Sequence, residues 1–164
     1  MNSEESRLQK AIELRNEKNL KESNELLLEL VQLHPENAYY NYQCAWSFDC
    51  LGEESKAVPY YEKAIQGGLE ESDLVNAFLG FGSTLRSLGE YERSKDVFQE
   101  AIERFPSHQA LRVFFAMTLY NVNEHKKAME FLLKCIADTS SDEEIQNYKR
   151  AISFYSDRLD ETWA

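Results

Sequence analysis

One phrase recurs four times in this chain at a nearly fixed spacing. It reads KNLKESNELLLEL from Lys18, LGEESKAVPYYEKAI from Leu51, LGEYERSKDVFQEAI from Leu88 and VNEHKKAMEFLLKCI from Val122. Aligned on their turn residues, Lys18, Gly52, Gly89 and Asn123, the copies lie 34, 37 and 34 residues apart. A period in that range belongs to stacked helical hairpins, each too small to bury its own apolar face, so that a core exists only between neighbours. Such stacks present surface to other polypeptides; they do not by themselves carry out chemistry.

The pattern between the turns is helical throughout. Val97, Phe98, Ala101 and Ile102 recur at intervals of three and four, as do Phe131, Leu132, Cys135 and Ile136. No useful stretch alternates with period two, which makes the chain all-α. Helices are expected near 4–17, 21–34, 38–51, 54–66, 72–88, 91–104, 108–121 and 125–137, with a ninth near 142–160. Pro35, Gly67-Gly68 and Pro106 close helices, and the three extra residues between the second and third copies fall in GGLEESD. Pro59 is expected in the first turn of a helix beginning close to Ser55, where a missing backbone N–H matters little. The ninth helix would present Ile145, Tyr148, Ile152, Tyr155 and Leu159 as one apolar stripe that caps the last repeat. Trp163 is expected either to fold back onto that cap or to be disordered.

The charge balance, 18 Lys plus Arg against 29 Asp plus Glu, gives −11 with no basic cluster. A surface that tracks nucleic-acid phosphates is therefore not expected. The acidic balance favours solubility and basic segments on a partner. No window approaches the roughly 18 unbroken apolar residues of a membrane span, and MNSEESRLQK lacks the pattern of a secretory signal. Three cysteines, Cys44, Cys50 and Cys135, have no metal-ligand spacing and suit a reducing cytoplasm.

The repeats resemble the tetratricopeptide repeat (TPR) family. The third copy matches its pattern best, with Phe78, Phe81-Gly82, Leu85, Gly89, Tyr91, Phe98, Ala101 and Pro106, and with Ser94 where the family favours Ala. The second supplies Cys44-Ala45, Phe48, Gly52, Ala57, Tyr61 and Ala64. The fourth supplies Phe115-Ala116, Leu119, Ala128, Leu132 and Cys135, with Asn123 at the turn. The first is weakest: Ala11, Leu14, Ser23, Leu27, Leu30 and Pro35, with Lys18 at the turn. Small residues at 45, 82, 116, 57, 64, 101 and 128 would let helices approach, and large ones fill the gaps. The resemblance implies a right-handed α-solenoid forming a single TPR domain over 4–164. Its four helix-turn-helix repeats fall at about 4–37, 38–74, 75–108 and 109–141, followed by a capping helix at about 142–160. The chain looks like the small stand-alone TPR proteins of bacteria.

In this family the first helix of each repeat lines a concave groove, and the resemblance carries that role onto its inward positions. They are Tyr39, Tyr42, Trp46, Asp49 and Cys50 in repeat two, and Asn76, Leu79, Ser83, Arg86 and Ser87 in repeat three. Repeat four gives Ala110, Val113, Met117, Tyr120 and Asn121, and repeat one Glu5, Leu8, Ile12, Arg15 and Asn16. Of these, Tyr39, Tyr42, Trp46, Leu79, Arg86, Val113, Met117 and Tyr120 are the expected partner-binding residues. Leu79 and Val113 fit packing between first helices equally well. Tyr and Trp offer large contact area with few rotatable bonds, the usual composition of an interface anchor. The expected function is a scaffold or adaptor gripping a protein or peptide with basic or apolar segments. The alternative is a self-associating structural protein whose groove is closed by a homodimer. The cationic clamp of chaperone-tail-binding members is missing: its positions hold Leu8, Ile12, Gln43, Asn76 and Gly80 in one register. In the next they hold Tyr42, Trp46, Gly80, Ala110 and Phe114.

Nothing in the sequence points to catalysis, a metal or a cofactor. His34, His108 and His125 sit at a helix end, a helix start and a turn, without metal spacing. GFGSTLRSLG follows no strand and lacks the Lys of a phosphate loop, so it reads as a helix in which Gly80 and Gly82 permit close packing. Cys50 lies near an exposed turn with no basic neighbour in sequence to activate it.

Overall fold

A computed structural model describes residues 3–163. Among the described residues all regular structure is helical, and it divides into two compact units, residues 1–90 and 91–164. The first contains α1 (Ser3–Asn16), α2 (Leu20–Leu33), α3 (Ala38–Leu51), α4 (Glu54–Gln66) and α5 (Glu71–Ser87). The second contains α6 (Tyr91–Arg104), α7 (Gln109–Asn121), α8 (His125–Thr139), α9 (Glu143–Asn147) and α10 (Lys149–Tyr155). The first eight helices match the sequence expectation to within two residues at each end.

The repeated phrase begins with the same piece of backbone chemistry each time. Lys18, Gly52, Gly89 and Asn123 have φ of 68°, 71°, 80° and 64°, all left-handed. Each donates its N–H to a carbonyl three residues back: Arg15, Asp49, Arg86 and Tyr120. The following residue, Asn19, Glu53, Glu90 or Glu124, donates to a carbonyl five back, on Leu14, Phe48, Leu85 or Leu119. That pair of bonds closes a helix and reverses the chain, satisfying carbonyls the helix itself cannot. Glycine adopts the conformation without strain; Lys18 and Asn123 adopt it against the preference of an L-residue.

In the first unit each helix packs on the next in sequence, and α5 also reaches back to α3. Ala11, Ala45, Ala57 and Ala64 are buried where helices approach, and Leu27, Leu30, Phe78 and Leu85 fill the spaces between them. The second unit is organised in the same way. Ala101, Ala116 and Ala128 are buried, and Phe98 lies against Phe115 and Phe115 against Phe131, with ring centres 6.4 and 5.2 Å apart. Where serine replaces the usual alanine, its hydroxyl is buried and needs a partner. Ser23 Oγ donates to the Ala11 carbonyl at 2.7 Å, and Ser94 Oγ lies 3.0 Å from Thr118 Oγ1.

Two expectations fail locally. Helix α4 begins at Glu54, which places Pro59 in its second turn and not its first. Both Pro59 and Ser55, whose carbonyl loses its partner, are exposed, so water satisfies what the ring removes. The single capping helix over 142–160 is instead two short helices, and residues 156–163 are not helical. At Tyr148 the amide turns to the Glu144 and Ile145 carbonyls together, at 3.3 and 3.1 Å, with ψ of 6°. At the other end the buried Ser156 hydroxyl donates to the Ser153 carbonyl at 2.8 Å, competing with helix continuation. The apolar stripe is consequently split: Ile145 and Ile152 are half-buried, whereas Tyr148, Tyr155 and Leu159 are exposed. Trp163 does fold back, its ring centre 6.0 Å from Phe154 and 5.3 Å from Tyr155.

Candidate functional site

Helix α3 is poor in charge and half-buried, with seven of its fourteen residues in the core. Only Asp49 among its fourteen residues is charged, although one end of its exposed side faces water through Trp46 and Cys50. The second helix of the same hairpin, α4, carries Glu54, Lys56, Glu62 and Lys63 in thirteen residues. Packing against α2, α4 and α5 accounts for much of that contrast, and the exposed Trp46 stands outside it. Asn37 starts α3 by accepting the Tyr40 N–H on its side-chain oxygen at 3.0 Å, which fixes the phase of the helix. Tyr39, Tyr42 and Trp46 then follow at spacings of three and four on one side.

The three rings form a run. Tyr39 and Tyr42 are 6.3 Å apart and tilted by 57°; Tyr42 and Trp46 are 6.2 Å apart and nearly parallel at 24°. Trp46 is 42% exposed, and its other constraint comes from α1: the Arg15 guanidinium carbon lies 3.7 Å from the indole centre. Arg15 is itself only 7% exposed, and its Nη2 donates to Gln43 Oε1 at 2.8 Å. Trp46 is thus an exposed aromatic residue held in one orientation by the neighbouring Tyr42 ring and by a cation stacked over its face.

The charges around this ring are tied down. Asp49 accepts from Tyr61 Oη at 2.7 Å and from Thr84 Oγ1 at 2.9 Å, joining α3 to α4 and α5. Burial nevertheless raises its carboxyl pKa, the two hydrogen bonds offsetting only part of that effect. Burial pushes the Tyr42 phenol up to about 12, with nearby Asp73 adding to the shift. Burial also lowers the Arg15 pKa. Cys50 gains the basic neighbours its local sequence lacks, since the fold brings Arg15 and Lys18 near it. Burial outweighs them and its thiol pKa is raised, which disfavours a reactive thiolate.

The expected binding residues do not share one environment. In the first unit Trp46 is exposed, Tyr39, Leu79 and Arg86 are half-buried, and Tyr42 is 6% exposed. Tyr42 therefore supports Trp46 and offers little surface of its own, a correction to its expected place among the gripping residues. The cause is long-range: α5 packs back on α3 and brings Asp73 close to the phenol. In the second unit Val113 is half-buried, Met117 is 40% exposed and Tyr120 is 64% exposed, its ring 4.9 Å from His125. Helix α7, which carries them, repeats the character of α3: Arg112 is its only charge in thirteen residues, against seven in fourteen on α6. The partnership of Arg15 with Trp46 was not read from the sequence. Both had been placed on inward faces of successive first helices, which is the signal that could have joined them.

The histidines serve the backbone and surface. His108 Nδ1 accepts the Leu111 N–H at 3.3 Å as a helix cap, and His34 Nε2 lies 2.9 Å from Glu4. Among the described residues no group of three or more His, Cys, Asp or Glu could hold a metal ion. Among them, too, no helix is long and apolar enough to cross a membrane.

Comparison with known proteins agrees with this architecture. A family model described as Tetratrico peptide repeat matches residues 38–159. Superkiller protein 3 of Saccharomyces cerevisiae is 28% identical over 108 residues, which is 62% of this chain and 7% of that protein. The chain thus spans a small fraction of the length of this curated relative. Among solved structures, the MamA RS-1 ArsTM double mutant superposes with a TM-score of 0.74, covering 91% of this chain and 78% of that one at 16% identity. YrrB, described as a TPR protein with an unusual peptide-binding site, gives 0.62 over 94% and 86% at 17% identity. At such identities these structures speak for the fold alone. With the family model covering most of its length and four matching helix-closing turns, this chain belongs to the tetratricopeptide repeat family.

Proposed function

We propose that the chain is a non-enzymatic interaction module that binds a partner polypeptide through the first-helix face of its first unit, with Trp46 as the anchor. The observation that carries this reading is the orientation of an exposed indole, fixed by Tyr42 and Arg15 on a helix almost free of charge. A large ring held before binding loses little freedom on binding, and such residues dominate interface energetics. Tyr39, which adjoins Tyr42, and the half-buried Leu79 and Arg86 belong to the first helices of the same unit; Met117, Tyr120 and Val113 lie on the first helix α7 of the second. YrrB, which shares the fold, is described as having a peptide-binding site. Three free thiols fit residence in a reducing compartment.

Selection of a random-peptide display library on the purified chain tests the reading. Enrichment of sequences with a shared apolar residue, bound at least tenfold more weakly by Trp46→Ala, supports it. No shared sequence, or one indifferent to Trp46→Ala, contradicts it.

The exposed cluster of Phe154, Tyr155 and Trp163 in the second unit favours a second reading, self-association. Light scattering would then show a dimer that a Phe154→Ser, Trp163→Ser double variant converts to monomer.

A further inference from the structure

The anchor sits on a buried cation that has no counter-ion among the described residues. Arg15 is 93% buried by its 7% exposure, yet its side chain makes one hydrogen bond, to neutral Gln43, and its Nη1 is buried without a partner. Among the described residues no carboxylate pairs with it, although the sequence carries 29 Asp and Glu and an excess of eleven negative charges. The one carboxylate of α3, Asp49, is engaged by Tyr61 and Thr84 instead. The groups that act most strongly on the guanidinium charge are Cys50, Tyr42, Tyr39 and Tyr61, none of them an anion at neutral pH. Leaving a buried charge unpaired is among the most unfavourable arrangements a fold can keep, and the indole face offsets only part of it.

Resting on the proposed peptide-binding role, we infer that the α1–α3 face recognises a partner segment carrying an Asp or Glu side chain beside an apolar residue, the carboxylate pairing with Arg15 and the apolar side chain packing on Trp46. The indole lies over the guanidinium, so the Arg15 side chain shifts toward the carboxylate while Trp46 keeps its place against Tyr42, exchanging a cation–π contact for a stronger charge-assisted hydrogen bond donated by Nη1. This reverses at the anchor the preference for basic segments that the overall charge suggests. An acidic chain repels acidic segments generally, and a single uncompensated Arg at the anchor selects the one that places its carboxylate correctly.

The library selection supplies the probe. The enriched peptides, made with acetylated and amidated ends, are expected to share an Asp or Glu next to their apolar residue. Replacing that Glu by Gln in the peptide, which leaves the protein untouched, should weaken binding at least tenfold, and Arg15→Met should bind the Glu and Gln peptides equally. Enriched peptides without an acidic residue, or a Glu-to-Gln change without effect, overturn the inference while leaving the peptide-binding role standing. Failure of the chain to enrich any peptide overturns both. Binding that requires a free peptide C-terminus in place of an internal acidic side chain also overturns it.

Discussion

Tyr61 and Gly80 meet with no space for a β-carbon between them. A Cβ on Gly80 would lie 2.3 Å from the Tyr61 hydroxyl oxygen and 2.7 Å from the ring carbon that bears it. The same hydroxyl donates to Asp49, so this contact sets both the distance between α4 and α5 and the bond that ties them to α3.

Gly80→Ala must therefore push a buried ring or a helix, and urea denaturation should show a loss of about 1–3 kcal/mol, the usual range for overpacking. Tyr61→Phe removes the nearest atom of the clash. In the Gly80→Ala background it should be less destabilising than in the wild type, a coupling that a double-mutant cycle measures.

The left-handed turn residues make an opposite prediction. Nothing lies within 4 Å of a Cβ built on Gly52, so Gly52→Ala meets only the backbone preference, and a loss of about 1 kcal/mol is expected. Lys18 and Asn123 already bear that strain, with φ of 68° and 64°. Lys18→Gly should raise the unfolding midpoint, by about 1 kcal/mol of stability; Asn123→Gly should gain less, since Asn tolerates the conformation better than Lys. Thermal or urea unfolding of the three variants checks the order.

How much of this was legible beforehand depends on range. The four turns, the small residues at 45, 57, 64, 101, 116 and 128, and the first eight helices follow from local chemistry that each repeat restates. The close approach at Gly80 was readable as a small residue in a helix, though not its Tyr61 partner. The fate of the chain after Thr139 was not readable, because a 3-4-3-4 spacing specifies a helix face without specifying a core for it to meet. Tyr42 fell to the same limit: its burial depends on α5 reaching back to α3, a contact about thirty residues away in sequence. The Arg15–Trp46 contact likewise joins two repeats, and no property of either residue alone announces it.

Asp49 gives the chain a pH-dependent term. Its folded pKa is raised above the ordinary 3.8 by burial, so the folded chain holds this proton more tightly than the unfolded chain. The stabilisation from that proton is present below 3.8 and is lost as pH rises through the folded value. Asp49→Asn removes the titration. The stability of the variant relative to wild type should accordingly shift in the variant's favour as pH rises from 3.8, seen in urea midpoints at several pH values. Parallel curves would show that Asp49 titrates alike in both states.

The central claim is that Trp46 is where a partner polypeptide is held, and the two indoles of this chain allow it to be read directly. In a ¹⁵N–¹H spectrum, Trp46 and Trp163 give separate side-chain N–H signals, assigned with Trp163→Phe. Titration with the selected peptide should move the Trp46 indole signal, in proportion to occupancy, and leave that of Trp163 in place. Movement of Trp163 with a stationary Trp46 would contradict the account.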